Sequence, residues 1–508
     1  MLLTGFQNNP KNRQQLDKNI QKYIYLCKLK EFHSNTSVAL TYTGEHMQPF
    51  GELLKKYILD RGYTVNQFAK KLDFNRGTLY SVFAGTKNMP EDVFLRALTF
   101  LSSGPEETAL LKAYHSEIYG QAAMEHILFL QQELNRISDR ETAPRPEYST
   151  NSTALASALS TLFSRAAKEE LPDIYTNYSF SSTVIDDAVY EALTSSVDPV
   201  CLRHYVLTET SGSSTENLQT LLSSLRYMDL KQNVSTLSVS DPHLLQTHTP
   251  FPYFFVTTRQ LILLNRDGST FCSIDDPAVI DTVFQDALRT FIEAKPIASF
   301  ISPTFDFRSV IELLEMALPA QGSHICIESQ MCLAKSLSDP DFLDAIAAPK
   351  LPLRASLIRL VSHHYRELCK RACPTISSAS GCLRFLETGI VEDLPQSLVG
   401  PAPIPFRRLA LLQLLESCEN EDQAHTILNE AKLRLPQKFA FILNDSLHSV
   451  TITSTEFSWT ISVEDPHLRD DFFNFLDYCH RGQLILSKQE ASAFLHHLIS
   501  ICEEPEIP

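Results

Sequence analysis

The run from Thr64 to Pro90, TVNQFAKKLDFNRGTLYSVFAGTKNMP, constrains the fold more tightly than any other part of the chain. Thr64 followed three residues later by Gln67 has the spacing of a capping box, which satisfies the orphan amides of a helix start. Val65, Phe68, Ala69 and Leu72 recur at i, i+3, i+4 and i+7, so the segment predicts a short helix with one apolar face. Asp73-Phe74 makes a short corner. Asn75 can cap a second helix in which Leu79, Val82 and Phe83 form the buried stripe. Arg76, Gly77, Tyr80, Ser81 and Ala84 then fall on the opposite side.

The flanks continue the pattern. Upstream, Phe50, Leu53, Leu54, Tyr57 and Ile58 share one helical face before Gly62 stops the helix. Downstream, Gly85 ends the second helix of the pair. The acids Glu91-Asp92 after Pro90 suit the positive end of a new helix, with Phe94, Ala97, Leu98 and Leu101 inward. A fifth helix is expected after Gly104-Pro105, with Leu110, Leu111, Tyr114 and Ile118 inward. Five short helices of this kind make an all-α bundle of helix-turn-helix type.

Residues from Phe50 to about Tyr119 resemble the DNA-binding domain of the Cro and phage-lambda-repressor superfamily, also called the xenobiotic-response-element type. The resemblance rests on Gln67 and Ala69 in the second helix, Leu79 and Phe83 in the third, Gly85 after it, and the turn Lys87-Asn88-Met89-Pro90. It implies double-stranded DNA as partner, with the start of the second helix on phosphates and the start of the third on base edges. The DNA-binding residues so implied are Gln67, Asn75, Arg76, Gly77, Thr78, Tyr80, Ser81 and Lys87. Two positions depart from the family: Asp73 stands where a turn Gly is usual, and Ala84 where an acid is common. Asp tolerates the left-handed backbone, so Asp73 bears only on the turn's stability.

Net charge at first argues against a nucleic-acid partner, because the 508 residues carry −16. Its distribution reverses that. The first 105 residues hold 14 Lys and Arg against 8 Asp and Glu, which places +6 on the head and −22 on the remainder. A basic head on an acidic body fits a DNA-binding module carried by a body that does not bind DNA. No run of 18 apolar residues and no charged-then-apolar leader occurs, so neither a membrane nor export is expected. Eleven scattered cysteines make an unpaired number and read as reduced thiols, consistent with a cytoplasmic bacterial protein. His363, His364, Cys369, Cys373 and Cys382 form the densest metal-capable group, but without a second cleanly spaced ligand pair, so no metal is expected there.

The chain divides into five parts: a basic extension of unclear role (1–46), the helix-turn-helix domain (47–119), a helix and linker (120–152), and an α+β body in two parts (153–300 and 301–508). Ile127, Leu130, Leu134 and Ile137 have 3-4-3 spacing, a seam that either pairs two copies or packs on the body. Pairing has a mechanical rationale, since two-fold operators need two heads, and a homodimer is expected. Ser138 to Ser152 reads as a linker. In the body, YFFVTT, QLILLN and FCSI followed by Asp275-Asp276-Pro277 and an amphipathic helix are echoed by FAFIL, SVTITS and FSWTISV followed by Glu464-Asp465-Pro466 and a second helix. Each unit is expected to be a small antiparallel sheet handing over to a helix. Either the body has two related halves, or a common unit recurs by chance. Helices are expected ahead of each sheet, at 154–171, 188–195 and 217–225 and at 310–318, 357–369 and 406–417. From Phe180 onward the runs FLETG, DLP and PFRRLALLQLL are similar to carboxy-terminal regions of Firmicute regulators.

Enzyme chemistry has no motif behind it. With 15 glycines there is neither G-x-x-x-x-G-K nor G-x-G-x-x-G, and G-x-S-x-G and H-E-x-x-H are also absent. His243 and His248, and His496 and His497, are histidines without a partner pattern. The resulting expectation is a non-enzymatic, cofactor-free, sequence-specific DNA-binding transcription regulator whose body senses an unknown effector or protein partner or oligomerises. The alternative is a protein-interaction scaffold whose bundle docks a partner instead of DNA.

Overall fold

The computed structural model describes residues 49–101, 105–142, 150–169, 172–180, 182–207, 215–228, 230, 233–239, 250–296, 298–301, 324–348, 354–369, 375–394, 396, 398–419, 425–444, 447–455, 459–481 and 484–502. The extension at 1–46, the helix expected at 310–318, and His243, His248 and Cys373 lie outside them. The chain forms two compact units, Met1–Met124 and Glu125–Pro508.

In the first unit, α1 (Phe50–Asp60), α2 (Val65–Lys71), α3 (Arg76–Phe83), α4 (Glu91–Leu101) and α5 (Pro105–Tyr119) share one core. Its centre is aromatic: Phe94 stacks on Tyr114 at 3.8 Å between centroids, and Phe50 meets both edge-on. Gly51 lets α1 touch α3, since a Cβ there would lie 2.3 Å from the Val82 carbonyl oxygen. Asp73 takes the left-handed corner at φ 50°. Phe83, expected in the buried stripe, is only half-buried beside Leu79 and Val82.

The second unit is a mixed helix-and-sheet body. Its first part runs α6 (Gln121–Thr142, whose first turn crosses the division between units), α7 (Thr150–Ala166), β1 (Asp173–Thr176), α8 (Thr183–Ser195), β2 (Cys201–Leu207), α9 (Thr215–Leu225) and β3 (Asn233–Val239). It continues through β4 (Tyr253–Val256), β5 (Leu261–Leu264), β6 (Phe271–Ile274) and α10 (Pro277–Glu293) to β7 (Lys295–Pro296) and β8 (Ala298–Ile301). The second part has β9 (His324–Glu328), α11 (Ala334–Leu337), α12 (Pro340–Ile346), α13 (Arg354–Cys369), β10 (Thr375–Ser377), α14 (Ala379–Thr388), α15 (Ile404–Glu419) and β11 (His425–Ile427). It closes with β12 (Phe439–Asn444), β13 (Ser449–Ser454), β14 (Thr460–Val463), α16 (Pro466–Arg481) and α17 (Lys488–Ile501).

These strands build two seven-stranded sheets, ordered β6-β5-β4-β1-β2-β3-β7 and β11-β10-β9-β12-β13-β14-β8. Read from opposite ends, six strands of each have the same plan. Three parallel strands (β1, β2, β3; β9, β10, β11) come first, and an antiparallel meander (β4, β5, β6; β12, β13, β14) then returns to the first of them. The seventh strands differ: β7 extends the parallel end of the first sheet, whereas β8 extends the meander end of the second.

Both meanders and their helices match the strand-turn-strand-helix expectation closely. Asp276 accepts from the amides of Ala278 and Val279, and Asp465 from those of His467 and Leu468, so Asp-Pro starts α10 and α16 alike. Each helix then covers its sheet through an aromatic contact at 5.3 Å between centroids, Phe284 on Tyr175 and Phe472 on Phe441. The expectation of small antiparallel sheets is corrected: each sheet has a parallel half in addition to its meander.

The seam of α6 is settled within one chain. Ile127, Leu130 and Leu134 are fully buried, Gln131 and Asn135 donate to the Lys432 carbonyl, and His126 Nδ1 lies 2.8 Å from Asp471 Oδ1. It packs on the body and offers no free stripe for a coiled coil. The linker is shorter than the expected 138–152, because α6 runs to Thr142 and α7 begins at Thr150.

Candidate interaction surface

The outward face of α2 and α3 is set by how their ends are satisfied. Thr64 Oγ1 accepts the Gln67 amide at 3.3 Å while Gln67 Oε1 accepts the Thr64 amide at 3.0 Å, closing the capping box. Asn75 Oδ1 accepts the Thr78 amide at 3.1 Å, and Ser81 Oγ donates to the Gly77 carbonyl at 3.2 Å. The side-chain oxygens of Gln67, Asn75 and Ser81 are thus turned to the bundle's own backbone. Gly77 is exposed and Thr78 half-buried.

The face that remains is cationic and aromatic. The Arg76 guanidinium lies over the Tyr80 ring at 5.4 Å, and Tyr80, 44% exposed, meets Phe83 edge-on. Lys71 Nζ donates to Tyr63 Oη at 2.9 Å and sits over the rings of Tyr63 and Phe100. Lys87 is exposed on the turn after Gly85, whose φ of 65° allows the tight exit from α3. Ordered Arg–Tyr pairs lose little side-chain entropy on contact and offer a flat apolar face with a cation, which suits a protein or peptide surface.

The body holds two buried polar clusters that periodicity does not reveal. In the first sheet, Arg226 pairs with Asp186 and lies 3.1 Å from Asp187, Tyr227 donates to Asp186, and Tyr178 and Tyr227 oxygens are 3.2 Å apart. Burial raises the Asp186 carboxyl above its usual range, against the pull of Arg226 and Tyr227. His204 Nε2 meets the Tyr178 carbonyl at 2.7 Å, and burial pushes its pKa down to about 4, so the ring is neutral at pH 7. Every member is paired within the network. It fixes the core.

In the second sheet the carboxyl end of β9 is the counterpart. Arg384 binds Glu392 Oε1 at 3.0 Å and Ser329 Oγ at 2.9 Å, and Gln330 ties the Ile390 carbonyl to the Glu392 amide. Burial, then the neighbouring Glu392 charge, pushes the Asp393 carboxyl up to about 7. Glu328 is raised well above the carboxylate range by burial and by the Asp393 and Glu392 charges. The chain itself closes this end: a Cβ on Gly381 would lie 1.7 Å from the Ser329 carbonyl oxygen, so α14 rests directly on the strand's exit. The only signal in the sequence was the adjacent pair Glu392-Asp393 in a Pro-rich loop.

The hollows among the described residues include these two. One, of about 10 Å³, is an apolar nick between α12 and α13; the other, about 310 Å³, is an open groove along α15 lined by Pro405, Phe406, Arg408, Leu409 and Leu412. Neither gathers ionisable groups. Of the metal-capable group, Cys382 and His364 are buried and Cys369 and His363 exposed, and no cluster of three or more metal-ligating side chains occurs among the described residues. His496 and His497 are exposed on α17. No described helix is long and apolar enough to cross a membrane.

No family model matches the chain, and no curated protein matches it. Among solved structures it has a likeness to phosphatidylserine synthase of Haemophilus influenzae Rd KW20, at a TM-score of 0.19 and 10% identity, over 74% of this chain and 98% of that one. A likeness this slight carries no argument about chemistry. The expectation of a sequence-specific DNA-binding transcription regulator is corrected: no family model and no curated protein supports it.

Proposed function

We propose that the chain is a protein-interaction scaffold without catalytic activity, whose amino-terminal helical bundle docks an acidic, aromatic-bearing segment of a partner protein. The observation that carries this reading is the exposed Arg76–Tyr80 pair, stacked in place before any partner arrives. Lys70, Lys71 and Lys87 are exposed on the same helix pair and its exit turn and supply charge complementary to such a segment. The paired state of the buried ionisable network around Asp186, and the mostly apolar lining of the two hollows, to which Arg408 alone brings a charge, favour a non-enzymatic body. The described cysteines are free thiols, which supports a reducing, cytoplasmic setting. The common plan of six strands in each sheet supports an origin of the body by duplication.

Selection of a random displayed-peptide library on the immobilised full-length chain tests the docking reading, with Arg76→Ala and Tyr80→Ala as counter-targets. Enriched acidic peptides should lose about tenfold or more in affinity on each variant, as expected for anchor residues. Peptides that bind the variants equally, or an absence of enrichment, would overturn it.

A further inference from the structure

We propose that the outer edge of β6 is a docking site for an extended segment of a partner protein, which adds to the first sheet as an antiparallel strand. Among the described residues three of the four sheet edges are covered by the chain itself. β7 lies on β3, and β8 lies on β14. The stretch from Leu484 to Leu486 runs along β11, where the Leu486 amide donates to the Ile427 carbonyl and the Asn429 amide to the Leu484 carbonyl. No described strand pairs with β6 on the side away from β5. Open amides and carbonyls along a strand edge are a template for another strand, which is why proteins cover or blunt such edges.

The second sheet shows what fits. β6 and β14 hold the same place in the common plan, and each runs into the Asp-Pro start of its helix. Phe271, Cys272, Ser273 and Ile274 therefore correspond to Thr460, Ile461, Ser462 and Val463. Their hydrogen-bonding phase also agrees. The Asn265 amide donates to the Thr270 carbonyl, and the Ser454 amide to the Trp459 carbonyl. The alternation of an antiparallel ladder then turns the backbone groups of Phe271 and Ser273, like those of Thr460 and Ser462, away from the meander. On β14 those groups face β8, with Ile301 opposite Thr460 and Ser299 opposite Ser462. Covered in this way, Thr460, Ile461 and Val463 are 6%, 2% and 1% exposed. On β6 Ser273 is exposed, and Phe271, Cys272 and Ile274 are only half-buried. The occupant then has the character of β8, Ala-Ser-Phe-Ile: uncharged, free of proline, with a small residue opposite Ile274 and an aromatic one opposite Cys272. Asp275, exposed beside the occupant's amino end, favours a basic over an acidic residue there.

The probe is the fluorescein-labelled, carboxy-amidated peptide Lys-Pro-Ile-Ala-Ser-Phe-Ile, residues 295–301 of this chain, titrated with the full-length protein and followed by anisotropy. A four-residue strand is a small contact, so dissociation on the order of 10–100 µM is expected. N-methylation of the peptide's Ser amide or its last Ile amide, the two that face β6, should weaken binding about tenfold or more. N-methylation of its Phe amide, which faces away, should leave binding within about twofold. Ser273→Pro removes one outward amide and spares the ladder to β5, so it too should weaken binding about tenfold or more. Should that variant not fold, the N-methyl series on the wild-type chain decides alone. Absence of saturable binding up to about 1 mM, equal losses at all three N-methyl positions, or undiminished binding to folded Ser273→Pro would overturn the assignment. Acidic peptides held by Arg76 and Tyr80 should be indifferent to Ser273→Pro, so this edge and the head stand or fail separately.

Discussion

Asp393 shows how one side chain can couple the body to pH. Its carboxyl titrates near 7 because it is buried beside Glu392, whereas in the unfolded chain it would titrate near the ordinary aspartate value, about 4. Between those two values the folded state therefore holds a proton that the unfolded state has lost. The contribution of Asp393 to folding stability should be fully present below about pH 4 and be lost as pH rises through 7, the reverse of a salt-bridged aspartate. Asp393→Asn keeps the shape and removes the charge. We expect it to flatten the decline between pH 5 and 8 and to raise stability at pH 8 by about 1 kcal/mol or more, read by urea unfolding across that range. Loss of stability at pH 8 would mean that the ionised carboxylate is a needed partner and not a burden. The Arg226–Asp186 pair contrasts with this site. There the guanidinium and the Tyr227 hydroxyl offset part of the cost of burial, and the paired network adds rigidity.

At the scale of elements, caps and Asp-Pro starts were legible because their chemistry is local. Thr64 with Gln67, Asn75, Asp276 and Asp465 all cap the helices their positions imply. Thr64→Ala and Asn75→Ala should each cost about 1 kcal/mol in thermal or urea unfolding of the full chain, since each frees an amide at an exposed helix start. No loss in either would show that water replaces the cap without penalty. The parallel strands were not legible. Runs such as DIYT, TIS and HTI are three or four residues long and carry Thr176, Thr375 and Ser377 inside, each almost fully buried. DIYT and TIS, buried almost throughout, show no alternation, and the polar side chains of all three runs mimic loop composition. The α6 seam was legible as an apolar stripe but not as to its partner. Spacing alone does not distinguish a second copy from the body of the same chain. The outward-facing residues of α3 were legible in position, while the capping roles of Gln67 and Asn75 and the back-bond of Ser81 left Arg76 and Tyr80 as the free anchors of that face.

The whole molecule is a small helical unit followed by a body roughly three times its length, and the division between them bears on how the chain can be cut. Gly120, at φ 84°, ends α5, and α6 begins at the next residue. From Glu125 onward the contacts of α6 are with the second unit: Arg434 pairs with Asp139, and its amide donates to Asn135 at 2.7 Å. The helix therefore belongs to the body, although it reads in sequence as a connector. A chain begun at residue 120 should fold as a soluble body with its own cooperative transition. A chain begun at residue 143 loses Ile127, Leu130 and Leu134, all fully buried, at a cost of about 1.5–3 kcal/mol apiece. It also uncovers the body surface on which α6 packs, so aggregation during size-exclusion chromatography, or a large drop in urea midpoint, is the expected result. Equal stability of the two fragments would return α6 to the role of a linker. The seam would then be open again to pairing between copies.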